Sequence, residues 1–224
     1  MSTSSTTPFG AIVLAAGKGT RMRSALPKVL HEIAGRPMLG HAIAVARQAG
    51  AAEILLVTSP DQDNVRAYAD SLHGALTHCI QTEQLGTGDA VAAAFEASAK
   101  HQRLVVMFGD TPLMRADVLA DLAGHSAELA ILGFEPEDAA AYGRIVMQGE
   151  TPTQIVEFKD ADAATRKISL CNGGAMALSQ TALAKYLPQL NKDNAQGEYY
   201  LPDLVGLASQ DGASTGLVMA KPED

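Results

Sequence analysis

Residues 9–28, FGAIVLAAGKGTRMRSALPK, decide how this chain is read. Phe9–Ala16 is an unbroken apolar run that stops at Gly17, the pattern of a strand buried on both faces. Gly17 and Gly19 follow at once and let the backbone approach an anion closely. Lys18, Arg21, Arg23 and Lys28 then place four basic side chains within twelve residues that hold no acid. The whole chain carries a formal net charge of -8, so positive charge gathered in one loop stands out. Backbone N–H groups with Lys and forked Arg donors make a cradle for phosphate oxygens. A solvated basic loop would carry the same charge, and the residue order is the more specific signal. GKGTRM lacks the third Gly of the GxGxxG fingerprint and the GK[ST] of a Walker A loop.

Outward from this stretch, apolar runs alternate with helical patterns. Pro37–Ala49 has an apolar helical face and a Gly50 stop. Glu53–Thr58 predicts a strand, Gln62–Leu72 a helix, Leu76–Gln81 a weaker strand and Gly88–Ala99 an Ala-rich helix. Leu104–Phe108 predicts a strand, Asp117–Gly124 a helix and Leu129–Phe134 a strand. Such alternation implies βαβ units, hence a Rossmann-like, mostly parallel α/β sheet with helices on both faces. In the second half, Tyr142–Gln148, Thr153–Lys159, Ile168–Leu178 and Ser214–Ala220 predict strands. Thr181–Leu187 and Tyr199–Ser209 predict helices. No linker-like segment separates the halves. The reading is a flexible leader over 1–8 and one domain over 9–224, with a nucleotide-binding half (9–136) and a sugar-binding half (137–224). In an open parallel sheet, ligands bind outside the carboxyl ends of strands. The loop after the first strand and the Gly109-Asp110 turn after the fourth both lie there.

Composition narrows the function classes. The 224 residues are 47% hydrophobic and 4% aromatic, enough for one substantial aliphatic core. The acidic balance disfavours nucleic acid and anionic membranes as partners. No apolar stretch is long enough to span a bilayer. Cys79 and Cys171 form neither a CxxC site nor a disulfide framework and read as buried thiols. MSTSSTTP lacks the apolar run of a signal peptide, and a cytoplasmic location is expected.

Five further stretches carry candidate chemistry. In Gln81–Ala90 (QTEQLGTGDA), Gln81 and Gln84 offer amide donors and acceptors to an uncharged base edge. Gly86 and Thr87 permit close approach at a helix start, where Thr87 also suits an N-cap. Asp110, in GDTPL, offers a hard oxygen to a cation, or an Asx turn. Glu157, in IVEFKD, is a strand carboxylate that a surface ion pair with Lys159 would account for. Asn172 reads as a turn amide, and in AQGEYY Tyr199 and Tyr200 either pack a helix into the core or supply an apolar wall.

LAAGKGTRM followed by LPKVLHEIAGRPML resembles the sugar-phosphate nucleotidyltransferases. More closely, it is similar to the uridyltransferase domain of bacterial bifunctional N-acetylglucosamine-1-phosphate uridyltransferase/glucosamine-1-phosphate acetyltransferases. The likeness runs from about Phe9 to Val218 through at least six ordered motifs. It implies nucleotide contacts at Leu14, Ala15, Ala16, Gly17, Lys28, Gln81, Gly86 and Thr87. It implies catalytic roles for Arg21, Lys28 and Asp110, with Asp110 on Mg2+, and sugar contacts at Gly143, Glu157 and Asn172. The implied substrates are UTP and N-acetylglucosamine 1-phosphate, giving UDP-N-acetylglucosamine for cell-envelope precursors. AQGEYY points to the acetamido-sugar branch. Two positions depart from the family pattern: Phe108 stands where Tyr is common, and Gly173 where Asn-Thr-Gly is usual. The family's second metal ligand, an Asn in a Gly-Val-Asn segment, has no counterpart before Asp224. No hexapeptide repeats of a β-helix follow, so no family-type trimer is expected. The other readings are a different sugar-1-phosphate nucleotidyltransferase, or a catalytically weak sugar-nucleotide-binding regulatory subunit.

Overall fold

A computed structural model describes residues 8–17, 19 and 22–220. The predicted leader over 1–8, apart from Pro8, lies outside the described residues. β1 (Phe9–Leu14) is buried at every position. Its side chains alternate between two cores, as the two-residue period of a strand requires. Ala11 and Val13 face one core, shared with Leu39, Ile43, Leu119 and Leu122; Ile12 and Leu14 face the other, with Val91, Leu183, Leu204 and Val205. A strand packed on both faces must be apolar throughout, which explains the continuous run. Each such aliphatic side chain contributes roughly 1.5–3 kcal/mol when fully buried.

The remaining elements follow in order: β2 (Glu32–Ile33), β3 (Arg36–Pro37), α1 (Met38–Gln48), β4 (Ala51–Thr58), α2 (Asp63–Asp70), β5 (Leu76–Ile80), α3 (Thr87–Ala93), α4 (Phe95–Ser98) and β6 (Arg103–Phe108). Then come α5 (Ala116–Gly124), β7 (Leu129–Phe134), β8 (Arg144–Gln148), β9 (Thr151–Val156), β10 (Cys171–Ser179), α6 (Gln180–Tyr186), α7 (Asp203–Gln210) and β11 (Thr215–Met219). Among the described residues, nine strands make one sheet with the path β11-β7-β10-β6-β1-β4-β5, and the β8–β9 hairpin joins it through β10. β1 pairs parallel with β4 and β6, β4 with β5, and β7 with β11. β10 is the reversed strand, antiparallel to both β6 and β7, with an irregularity between Asn172 and Met176. The mostly parallel α/β sheet is therefore present, with β10 inserted antiparallel between β6 and β7 and the antiparallel β8–β9 hairpin joined to it.

Several predicted elements have other bounds, among them the strand expected from Ile168, which begins at Cys171, and the one expected from Tyr142, which begins at Arg144; three of the shifts have a cause in the hydrogen bonds. The helix expected over Gly88–Ala99 breaks at Ala94, whose N–H bonds back to Val91 O in a tighter turn. The strand expected to reach Lys159 stops at Val156, because Glu157 O accepts from the N–H groups of Asp160 and Ala161 and turns the chain. The helix expected from Tyr199 begins at Asp203. Tyr199 pairs through its backbone with Leu85 and Gly88, and Leu201 precedes a proline, which disfavours helix there. The short β2–β3 hairpin was not anticipated from sequence. Cys79 and Cys171 are buried free thiols, and burial pushes both above the usual thiol range. No helix among the described residues is long and apolar enough to cross a membrane.

Candidate active site

The carboxyl end of β1 opens into a cavity of about 570 Å3 lined by Leu14, Ala15, Ala16 and Gly17. The loop leaves the sheet under restraint: Ala15 N donates to Val57 O at 2.8 Å, and Leu14 O accepts from Gly109 N at 2.9 Å. Gly19 has φ +57, and a Cβ there would lie 2.8 Å from Lys28 Cβ. Glycine is thus required for the turn that brings Lys28 to the cavity. Lys28 opens a 3-10 turn behind Pro27, and its Nζ lies 2.6 Å from Asp110 Oδ2, carried in from the end of β6. Arg21 lies outside the described residues, as do Lys18 and Thr20.

Gln81, Gln84, Gly86 and Thr87 line the same cavity. Gln81 is buried, and its Nε2 donates to Asp89 Oδ2 at 2.7 Å and to Gly86 O at 3.2 Å. Gln84 Nε2 donates to Ala16 O at 2.7 Å, fastening this loop to the first one. Gly86 has φ +119, and a Cβ would fall 2.5 Å from Tyr199 O, so the close crossing of these strands of chain needs glycine. Thr87 is not the helix cap. Gly86 holds that position, and Thr87 Oγ1 accepts from Leu201 N at 2.9 Å.

A second cavity, about 400 Å3, adjoins the first and shares Thr87, Phe108 and Glu198 with it. Gly143, Glu157 and Asn172 line it together. Asn172 N donates to Gly143 O at 2.9 Å, which joins the start of β10 to the segment before β8. Asn172 Oδ1 accepts from Gly174 N at 3.1 Å, so part of the amide serves as a turn acceptor. Gly173 packs against Leu132: a Cβ there would lie 2.8 Å from Leu132 Cγ. Gly174, at φ +79, lies against the Phe108 ring.

Arg144 is 2% exposed, and its guanidinium donates to the carbonyls of Ala139, Ala140 and Tyr142. Its Cζ sits 5.7 Å from the Phe158 ring centroid, with Arg166 at 4.6 Å from the same centroid. One buried cation therefore braces both the segment before Gly143 and the turn that bears Glu157.

The ion pair weighed for Glu157 does not form, because Lys159 Nζ donates to Gln196 Oε1 at 2.7 Å. Burial, and then the charges of Asp203 and Asp160, push Glu157 above the usual carboxylate range. Burial and then Asp160 push Asp203 up to about 6. Asn194 organises the neighbouring loop: its Nδ2 donates to Glu198 O at 2.6 Å, and its Oδ1 accepts from the N–H groups of Gln196 and Glu198. Of the two tyrosines, Tyr200 lines the second cavity, whereas the Tyr199 ring lies under Lys192 at 4.8 Å. Sequence reasoning did not single out Glu198, Asp89 or Asp203. Glu198 carried a signal, an acid inside AQGEYY; Asp89 and Asp203 become informative only through their neighbours.

A cation would meet a sparse donor set. Among the described residues no group of three or more His, Cys, Asp or Glu side chains converges. Asp110 alone offers a hard oxygen beside Lys28. That fits a small divalent cation held by one carboxylate and completed by substrate phosphates and water.

The MobA-like NTP transferase domain family matches residues 11–199. The bifunctional protein GlmU of Parvibaculum lavamentivorans is 47% identical over 213 residues, covering 93% of this chain and 46% of that protein. The bifunctional protein GlmU of Caulobacter vibrioides is 43% identical over 218 residues, covering 95% and 47%. The chain thus spans about half the length of the curated relatives it matches. A putative glucose-1-phosphate thymidylyltransferase from Bacillus anthracis shares the fold with a TM-score of 0.79 at 18% identity, covering 95% of this chain and 87% of that one. The inositol-1-phosphate CTP transferase from T. maritima gives 0.72 at 15% identity, covering 95% and 86%.

Proposed function

The chain belongs to the MobA-like NTP transferase domain family, and on that premise we propose that it transfers a uridylyl group from UTP to N-acetylglucosamine 1-phosphate. The products are UDP-N-acetylglucosamine, a cell-envelope precursor, and pyrophosphate. One observation carries this reading: two adjoining cavities share Thr87, Phe108 and Glu198, one headed by the phosphate-type loop and Lys28, the other by Gly143, Glu157 and Asn172. That layout suits a nucleoside triphosphate and a sugar phosphate meeting end to end. We read residues 9–136 as the nucleotide half and 137–224 as the sugar half.

In this reaction a phosphate oxygen of the sugar 1-phosphate attacks the α-phosphorus of UTP in line. The new O–P bond forms as the bond to the bridging oxygen breaks and pyrophosphate leaves. No protein nucleophile is needed, so the protein aligns the reactants and balances charge. Lys28 neutralises phosphate oxygens, with Arg21 assigned the same task. The Leu14–Gly17 segment and Gln81 hold ribose and base. Glu157 accepts from sugar hydroxyls, and Tyr200 supplies an apolar wall. Enzymes of this family generally use a divalent cation; we assign Mg2+, held by Asp110, which supplies electrophilic stabilisation of phosphate charge when bound.

The test is pyrophosphate release from UTP with N-acetylglucosamine 1-phosphate, run beside CTP and dTTP and beside glucose 1-phosphate. Turnover confined to the first pair is expected. Release with another pair and not this one would replace the substrates. Tight binding of UDP-N-acetylglucosamine without turnover at high Mg2+ would favour a regulatory binding protein.

A further inference from the structure

Gln81 is 5% exposed and lines the nucleotide-side cavity. Its two hydrogen-bond partners are a carboxylate oxygen of Asp89 at 2.7 Å and the carbonyl of Gly86 at 3.2 Å. Neither partner can donate. The amide NH2 must therefore face them, since the opposite orientation would set Oε1 against two acceptors. Both amide hydrogens are engaged, and no donor among the described residues reaches Oε1. Asp89 lies in the first turn of α3 but makes no cap hydrogen bond there; its carboxylate accepts from Gln81 instead.

We propose that Asp89 is a specificity-determining residue for the nucleobase, acting through Gln81: it makes Gln81 an acceptor toward the cavity, so the base must bring an N–H. Uracil carries a hydrogen on N3, and that N–H can meet Oε1. Cytosine has a lone pair on N3, which would face the lone pairs of Oε1. The inference rests on the reading of this cavity as a pyrimidine triphosphate site. It adds the residue that separates UTP from CTP.

The discriminating measurement is calorimetric titration of the full chain with UTP, CTP and 5-methyl-UTP in Mg2+ buffer, for wild type, Asp89→Asn and Asp89→Ala. A buried acceptor facing an acceptor predicts that wild type favours UTP over CTP on the order of 30-fold. An Asn at 89 can donate to Oε1 and turn the Gln81 amide over. It should lower the UTP:CTP ratio about 10-fold, mainly by improving CTP. Asp89→Ala removes the acceptor and should move the ratio the same way, so the test does not depend on one variant folding. The UTP:5-methyl-UTP ratio should stay fixed, because both bases bring the same N–H. A purely helix-stabilising Asp89 would weaken all three ligands equally, and that result overturns the inference. Equal wild-type affinity for UTP and CTP overturns it too, while leaving the transferase reading intact. Failure of wild type to bind any of the three overturns the transferase reading itself, and this inference with it.

Discussion

Lys28 Nζ and Asp110 Oδ2 lie 2.6 Å apart, joining the first loop to the end of β6 across the cavity at the carboxyl end of β1. The two side chains are 42% and 27% exposed. An ion pair that wet contributes at most about 1 kcal/mol, so incoming phosphate and cation can part it at little cost. Lys28→Met should change unfolding free energy by less than about 1 kcal/mol yet lower turnover on the order of 100-fold. Asp110→Asn should give a comparable loss in turnover and also raise the Mg2+ concentration needed for half-maximal rate. Steady-state pyrophosphate release beside urea denaturation checks both. Full activity in either variant would remove that residue from the chemistry.

Arg144 predicts a split between the two substrates. It holds the carbonyls of Ala139, Ala140 and Tyr142 and stacks near Phe158, so its loss loosens the sugar side alone. Arg144→Met should raise KM for the sugar phosphate about 10-fold, the effect of losing one well-placed set of contacts. KM for UTP should barely change, and Arg144→Lys should restore part of the loss. Equal rises in both KM values would point to general unfolding instead.

Gly173 predicts a steric coupling. A Cβ at this position would lie 2.8 Å from Leu132 Cγ and 3.2 Å from its backbone oxygen. Gly173→Thr should therefore destabilise the fold by about 1–3 kcal/mol. Leu132→Ala alone leaves a cavity and costs about 2–5 kcal/mol. Together the two should cost less than their sum, measured as a double-mutant cycle in denaturant. Strict additivity would show that Leu132 is not what excludes a side chain here.

Asp203 predicts a slope with pH. Burial and then Asp160 hold it up at about 6, whereas an unfolded Asp titrates at about 3.9. Between these values the folded state binds more protons, so stability is full below the lower one and falls as pH rises through about 6. Asp203→Asn should flatten that slope by on the order of 1 kcal/mol, or about 2–4 °C in Tm for a chain of this size. Loss of an acid from the first turn of α7 works the other way at every pH where it is charged, by about 0.5 kcal/mol, so the slope is the quantity to read. The variant should also keep its sugar affinity to lower pH, since the Asp203 charge is one of the causes holding Glu157 up.

Most of the sheet was legible because both-face burial leaves a mark in composition: Phe9–Ala16, Ile54–Val57 and Leu104–Phe108 are runs without a polar side chain. The reversal of β10 was not legible, since strand direction is set by pairing partners and not by residue pattern. Two boundaries moved through local turns at Ala94 and Glu157, and a third where distant backbone groups won over local propensity, as Leu85 and Gly88 take Tyr199 out of helix. Ordered motifs named the residues around the two cavities. Their hydrogen-bond commitments were hidden, because Gln81 gives no sign in sequence that its NH2 is already engaged by Asp89 and Gly86.

β10 runs between β6 and β7 and hydrogen-bonds to both, so the floor under the two cavities is a single woven surface. Among the described residues, no gap in the sheet separates the strands beneath one cavity from those beneath the other. Beside the second cavity, Lys159 Nζ donates to Gln196 Oε1 and Ala195 N to Asp160 Oδ1, so two exposed hydrogen bonds tie the turn after β9 to the loop before Tyr199.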